Sequence, residues 1–233
     1  TISGHAQNLL YLGAESPYSG TVRATGGETS FQVPRPFPNA TLIFGTGSDV
    51  SPTLADLDQD FELAGGHLSG LLANVQTNRG DVAVTADSVI GMYGREYVEA
   101  GDLSGVANLG FDDDADTLTC VGSISPGTNG IGILSIDTGL PADANVVNIG
   151  TGNDRVQLNI DLNGMGSTPG VDNDELLVYG EPVTLGDIDL VINVQMADPD
   201  QTNEILYASD GLFGLFNSVT WNGSDPGEVI YDY

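Results

Sequence analysis

Short apolar runs, each cut off by a glycine, recur along the whole chain, and that punctuation leaves little room for anything but short strands joined by tight turns. Residues 174–233 show it most plainly. Leu176-Leu177-Val178-Tyr179 stops at Gly180, Val183-Thr184-Leu185 stops at Gly186, and an apolar run at residues 190–194 follows. After a polar loop at residues 197–203 come Ile205-Leu206-Tyr207 and then Gly211-Leu212-Phe213-Gly214-Leu215-Phe216. Glycine occupies 32 positions, spread evenly, and helix signals are nearly absent. Runs this short do not close enough turns to hold a helix, so an all-β fold is expected.

Upstream, residues 8–12, 20–25 and 30–33 read as strands, with Gly26-Gly27 as a hairpin connection between the last two. Pro34-Arg35-Pro36-Phe37-Pro38 follows, and three prolines so close together cannot sit inside a central strand. They mark a boundary, with residues 1–38 expected as an N-terminal cap or arm and residues 39–233 as a β-rich solenoid-like domain. Solenoids need such end pieces to hide the open edge of the first rung. Gly66-His67-Leu68-Ser69-Gly70 returns as Gly101-Asp102-Leu103-Ser104-Gly105, an offset of 35, and suggests a repeat. Between the copies, Asp81-Val82-Ala83-Val84-Thr85-Ala86 alternates as a half-buried strand does. A coil of about 20 to 35 residues cannot bury its own apolar face, so neighbouring coils must stack at about 4.8 Å. The uneven spacing predicts rungs with loops of unequal length, acidic loops projecting sideways, and no exact repeat.

The order of these pieces, with "ILYASDGLFGLFNSV" at residues 205–219 and Gly150-Thr151-Gly152-Asn153-Asp154 leading into a strand at residues 155–160, resembles the end of autotransporter passenger domains and related secreted β-helix proteins. The resemblance covers residues 145–233 and, more loosely, residues 60–110. It implies a right-handed β-solenoid-like body, a β-helix, with capping strands, exported and displayed outside the cell as a stalk, adhesive or scaffold. The chain departs from the autotransporter plan in lacking the membrane barrel that follows a passenger. Thr1 in place of an initiator Met is expected to mark removal of a preceding segment. A β-sandwich or jelly roll is the alternative fold, since glycine turns and all-β content suit it equally.

Thirty-three acidic residues stand against five arginines and no lysine, a formal net charge of −28. Nucleic acid and anionic lipid need a Lys/Arg patch that this chain cannot assemble, so no nucleic-acid partner is expected. No run approaches the roughly 18 to 20 apolar residues of a membrane span, so no membrane insertion is expected in this chain. The surplus suits a self-repelling surface in a saline habitat, or one that binds divalent cations. Asp56, Asp58 and Asp60, with Glu62, fall at every second position; they would share one face of a strand or wrap a hard cation from a loop. This is no EF-hand, because Phe61 and His67 stand where that loop needs glycine and glutamate. Asp112, Asp113 and Asp114, with Asp116, repel one another, which favours a loop that gathers a cation. These seven aspartates are the candidate Ca2+ ligands, and calcium is the one cofactor suggested. Gly150 to Asp154 also resembles one turn of a calcium-binding nonapeptide repeat, but a lone copy has no neighbour to complete the coordination.

Catalytic constellations are sparse. His5 and His67 are the two histidines, and no G-x-S-x-G elbow, H-E-x-x-H helix or P-loop is present. Carboxylate pairs abound, yet one tryptophan and five arginines make a poor sugar cleft. The one cysteine, Cys120, sits in an alternating stretch that predicts a buried structural thiol. Arg79-Gly80-Asp81 matches the integrin tripeptide but leads straight into a strand, so it is read as chance. Asn39-Ala40-Thr41 and Asn222-Gly223-Ser224 match glycosylation acceptors. The expected function is a non-catalytic, extracellular or cell-surface structural protein that assembles with copies of itself into a fibre, filament or surface layer. Alternatives are a coat protein of a virus from a saline environment, built as a sandwich, and a calcium-dependent adhesin or glycan-binding module. Phe213, Phe216, Trp221, Tyr231 and Tyr233 concentrate bulk near one end, and are expected to plug the core or form the assembly surface.

Overall fold

The computed structural model describes residues 10–12, 14–52, 55–69, 75–91, 95–111, 116–127, 130–137, 145–150, 155–196, 198, 200, 202–223 and 228–230. Its strands form three sheets. Sheet A stacks β1 (Leu10–Leu12), β3 (Gly27–Phe31), β5 (Ser48–Pro52), β8 (His67–Ser69), β11 (Ser88–Gly91), β14 (Asn108–Phe111), β17 (Ile133–Asp137), β20 (Glu175–Tyr179) and β23 (Leu206–Ala208). Sheet B stacks β2 (Ser19–Ala24), β4 (Asn39–Gly45), β7 (Phe61–Ala64), β10 (Val82–Ala86), β13 (Leu103–Gly105), β16 (Ile124–Pro126), β19 (Val156–Asn163), β22 (Ile188–Met196) and β25 (Ser218–Asn222). Sheet C stacks β6 (Asp56–Leu57), β9 (Val75–Asn78), β12 (Glu96–Glu99), β15 (Thr117–Cys120), β18 (Val146–Ile149), β21 (Val183–Leu185) and β24 (Leu212–Phe213).

From β7 onward the chain visits sheets B, A and C in turn, and each ladder between named strands is parallel. This is a β-helix. A β-sandwich or jelly roll, the alternative, needs antiparallel neighbours joined by hairpins and does not describe it. The Gly26-Gly27 hairpin fails for the same reason. β2 and β3 lie on different faces and pair with β4 and β5, so the glycine pair turns a corner of the coil.

Alternation fills the interior. Along β19, Val156, Leu158, Ile160 and Leu162 point inward and are buried, with polar residues between them facing out. Stacking then places like on like: Phe61, Val82, Leu103 and Ile124 form one column, and Leu176 and Val178 lie under Leu206 and Ala208. Phe44 and Phe61 meet edge to face at 5.9 Å between ring centres.

That first column corrects the sequence reading in two ways. Its members are 21 residues apart each time, as are Val75, Glu96 and Thr117 in sheet C, so sheets B and C carry an exact repeat here, while a bulge in β10 makes the step 22 between β8 and β11 of sheet A. The two G-x-L-S-G copies are not its units: Leu68 lies in β8 of sheet A and Leu103 in β13 of sheet B. Beyond residue 124 the stride lengthens unevenly, with Leu158 above Ile124, then Leu190, then Val219.

The proline-rich segment takes the third face of an early rung without becoming a strand. Pro34 accepts the Asp58 N–H at 2.9 Å, and the buried Gln59 side chain bonds both the N–H and the carbonyl of Phe37. Prolines lack the N–H that a two-sided ladder requires. β2 and β3, in the region expected as a cap or arm, continue sheets B and A by six and five paired residues.

One corner explains the 21-residue stride. Gly80, Gly101 and Gly122 stack so closely that a Cβ on Gly101 would strike the Gly80 carbonyl, and one on Gly122 the Gly101 carbonyl. Next to this column the Asp60, Asp81 and Asp102 carboxylates accept the backbone N–H of Asp81, Asp102 and Ser123 at 3.1, 3.0 and 3.2 Å. Each aspartate thus ties its rung to the next. Gly101→Ala is expected to force the rungs apart and cost about 2 kcal/mol, read as a lower urea midpoint.

Candidate functional site

Inward positions are mostly apolar, with single buried polar side chains such as Thr29 and Ser88 in sheet A, and a connected polar group lies in the middle of sheet C. Alternation turns Asn78 of β9, Tyr97 and Glu99 of β12 and Cys120 of β15 inward, and all four are buried. Glu99 Oε2 accepts the Tyr97 hydroxyl at 2.7 Å and Asn78 Nδ2 at 3.3 Å, while Oε1 accepts the Gly101 N–H at 2.9 Å. Asn78 also donates to the Gly80 carbonyl at 2.7 Å. Burial outweighs these donors and pushes the Glu99 carboxyl up to about 8. The Tyr97 hydroxyl and the Cys120 thiol are raised by burial first and by Glu99 second. Cys120 is therefore the buried thiol the alternation predicted, held protonated and unreactive.

A second buried carboxylate organises the insertion between β19 and β20. Asp174 accepts the N–H of Gly132 and of Asp161, both at 2.8 Å, and burial raises its carboxyl to about 6. Its neighbour Glu175 rises to about 7, through desolvation and then the nearby Glu204. None of these three carboxyls was singled out by sequence reading. The signal existed for Glu99, because alternation in Glu96-Tyr97-Val98-Glu99 puts Glu99 on the same face as Tyr97 and away from Glu96.

The candidate calcium ligands are dispersed. Asp56 lies in β6 of sheet C and Glu62 in β7 of sheet B, so the four carboxylates at every second position do not share a face: a corner intervenes. Asp56 sits 3.5 Å from Arg79, Asp58 sits 3.8 Å from Arg35, and Asp60 holds the Asp81 N–H. Asp116 is fully buried at the start of β15, where its carboxylate accepts the Arg95 N–H at 3.4 Å and its own N–H donates to Asn145. Asp112, Asp113 and Asp114, like residues 151–154 of the glycine turn, lie outside the described residues. Among the described residues no group of three or more His, Cys, Asp or Glu is placed to hold a metal ion.

A shallow groove of about 360 Å³ runs along the corner between sheets B and A, lined by Asp49, His67 and Asp87 with Ser48, Ser88 and glycines. His67 Nδ1 lies 4.0 Å from Asp49. The hydroxyls here already serve the backbone: Ser48 donates to the Gly45 carbonyl at 2.6 Å and Ser88 to the Ala86 carbonyl at 2.7 Å. Arg79-Gly80-Asp81 forms a corner whose glycine is packed and whose arginine faces Asp56, a poor loop tip. Asn39 is exposed at the start of β4 and Asn222 at the end of β25.

The last rung differs from those beneath it. Phe216 and Trp221 are half-buried against the core, whereas Phe213 is 58% exposed; Tyr231 and Tyr233 lie outside the described residues. Leu215 at 55%, Val219 at 37% and Ile230 at 67% exposure enlarge this apolar end beyond the aromatics read from sequence. Among the described residues no strand pairs with the outer edge of β23, β24 or β25. No helix of the described residues is long and apolar enough to cross a membrane. Comparison of the chain with family models, with curated proteins and with solved structures returned no match.

The raised carboxyls fix the sign of the pH dependence. Folded Glu99 keeps its proton from its ordinary value near 4.5 up to about 8, where the unfolded chain has lost it. Its contribution is therefore full below about pH 4.5 and is lost as pH rises towards about 8. Asp174 and Glu175 act in the same sense over lower windows. The melting temperature is expected to fall between pH 5 and about 8, and Glu99→Gln to flatten the upper part of that fall. An unchanged slope in thermal melts of the variant would refute this role of Glu99.

Proposed function

We propose that this chain is a non-catalytic structural protein of the cell exterior that associates with copies of itself into a fibre, filament or surface layer. The single observation that carries the reading is the last rung. Its three strands present a triangle of backbone donors and acceptors with no strand across from them among the described residues, and Phe213, Leu215 and Val219 stand exposed on the same rung. An open sheet edge is a template for pairing, and exposed apolar area of this kind is unfavourable in water unless covered. The resemblance of residues 145–233 to passenger ends supports an exterior location. The net charge of −28 suits a body that stays dispersed until its ends meet, because long-range repulsion is screened within about 8 Å at physiological salt.

The full chain is expected to form ordered polymers visible by electron microscopy and to sediment as a concentration-dependent series. Phe213→Ser with Leu215→Ser should shift that series to monomer while the far-ultraviolet β signal stays. Strictly monomeric behaviour of the unaltered chain, across salt and calcium, would overturn the reading.

A further inference from the structure

We propose that the association is head to tail: the outer edge of β25 takes the outer edge of β2 on the next copy, neither of which carries a further strand among the described residues, with the Arg23 guanidinium donating to the Asn222 amide oxygen. This rests on the self-association reading and adds its polarity and its contact.

Three observations point to it. The first is a directional amide ladder on the outer face of sheet B. Asp161, Asn193 and Asn222 stand in one column. A carboxylate only accepts, so Asn193 must turn its Nδ2 towards Asp161, at 2.9 Å, and its Oδ1 the other way. Asn222 Nδ2 then meets that Oδ1 at 2.9 Å, which leaves the Asn222 Oδ1 presented at the open edge as an acceptor. The orientation of the whole column is set by Asp161.

The second is Arg23, on the outer face of β2, between Val22 and Ala24, which pack on the core. Arg35, Arg79 and Arg155 have carboxylate partners, and Arg95 is engaged as well. Arg23 has no ion pair or hydrogen bond among the described residues, in a chain with a large surplus of carboxylates. β2 is the first strand of sheet B, so its side away from β4 carries no described strand. A five-donor group waits at one end of the sheet and an acceptor at the other. Continuing the columns of sheet B across the joint sets Val219 beside Val22 and Thr220 beside Arg23, so that Asn222, the next outward residue of β25, is the diagonal neighbour of Arg23, within reach of its long side chain.

The third is charge. No Lys or Arg follows Arg155, Glu204 and Asp210 flank β23 on the last rung, and Glu228 follows β25 in the chain. Tail-to-tail contact would set these acidic ends against each other and acceptor against acceptor. Head-to-head contact would set Arg23 against Arg23. Glu15 and Glu28 stand near Arg23 at the head end, so the preference lies in the one pair: head-to-tail contact alone sets the Arg23 donor against the Asn222 acceptor. It is also a heterologous contact, so it propagates into an open filament and does not stop at a dimer.

The test uses Arg23→Glu and Asn222→Arg in the full chain, each followed by sedimentation velocity at about 0.15 M salt, where the screening length is about 8 Å. Each variant alone puts a mismatched pair in every joint, and its association should weaken at least tenfold. Mixed in equal amounts they complement. Where the two variants alternate, one joint sets the unaltered Arg23 against the unaltered Asn222, and the next sets the two substituted side chains, of opposite charge, against each other, so polymer should return. That recovery also shows that both variants are folded. Tail-to-tail assembly predicts instead that Asn222→Arg alone weakens association while Arg23→Glu leaves it unchanged. That pattern, or a mixture no better than its components, overturns the polarity and leaves self-association standing. An unaltered chain that never associates removes both.

Discussion

The hydrogen bonds that run along the axis, from each rung to the next, are the constraint on which the rest depends. A strand in this fold is too short to hold itself, and it has no hairpin partner beside it in the chain. Its N–H and C=O groups are met only if the next turn of chain arrives in register on the same face. That requirement makes the corners more demanding than the faces. At the Gly80, Gly101 and Gly122 corner the backbone approaches the rung below more closely than any side chain allows, and Asp60, Asp81 and Asp102 take the N–H groups that the turn exposes. The faces tolerate more variety, provided that inward positions remain apolar.

Where they do not, the tolerance has a visible physical basis. Asn78, Tyr97 and Glu99 occupy inward positions that hold leucine, valine and isoleucine a rung or two away, and three donors gather on one carboxyl oxygen pair. Dehydration still dominates, so the group rests protonated well above the usual carboxylate range. A hydrogen-bonded nest of this kind fits one neighbour arrangement, whereas an aliphatic column slides more easily past another. The nest therefore helps to hold sheet C in register, at the cost of sensitivity to base.

Much of the fold was legible because alternation and glycine spacing are local properties. The rung at residues 175–196 is spelled out as strand, glycine, strand, glycine, strand, and β20, β21 and β22 fall where those runs lie. The stride was not legible from matching letters, since Leu68 and Leu103 share a motif but occupy different faces. Position within the coil carries the repeat: Gly80-Asp81, Gly101-Asp102 and Gly122-Ser123 recur before Val82, Leu103 and Ile124. The acidic run from Asp56 to Glu62 misled for a related reason. Counting every second residue presumes one strand, and a corner at residues 58–60 divides it between two sheets. The pairing of Asp56 with Arg79 and of Asp58 with Arg35 joins residues from different turns, which no local pattern announces.

The evenly spaced stretch from Phe61 to Ile124 has translational symmetry, and with it a consequence for how such a chain changes length. Each turn there offers the same three faces and the same corner to whatever lies above and below. A gain or loss of one whole turn keeps every column in phase, whereas a shift of one residue would turn an entire face inside out. Height can therefore vary in whole turns while cross-section and chemistry stay constant, in the way a chain of beads is lengthened without redesigning the bead. Beyond Ile124 the side loops break that symmetry, and there the solenoid has ceased to be interchangeable with itself.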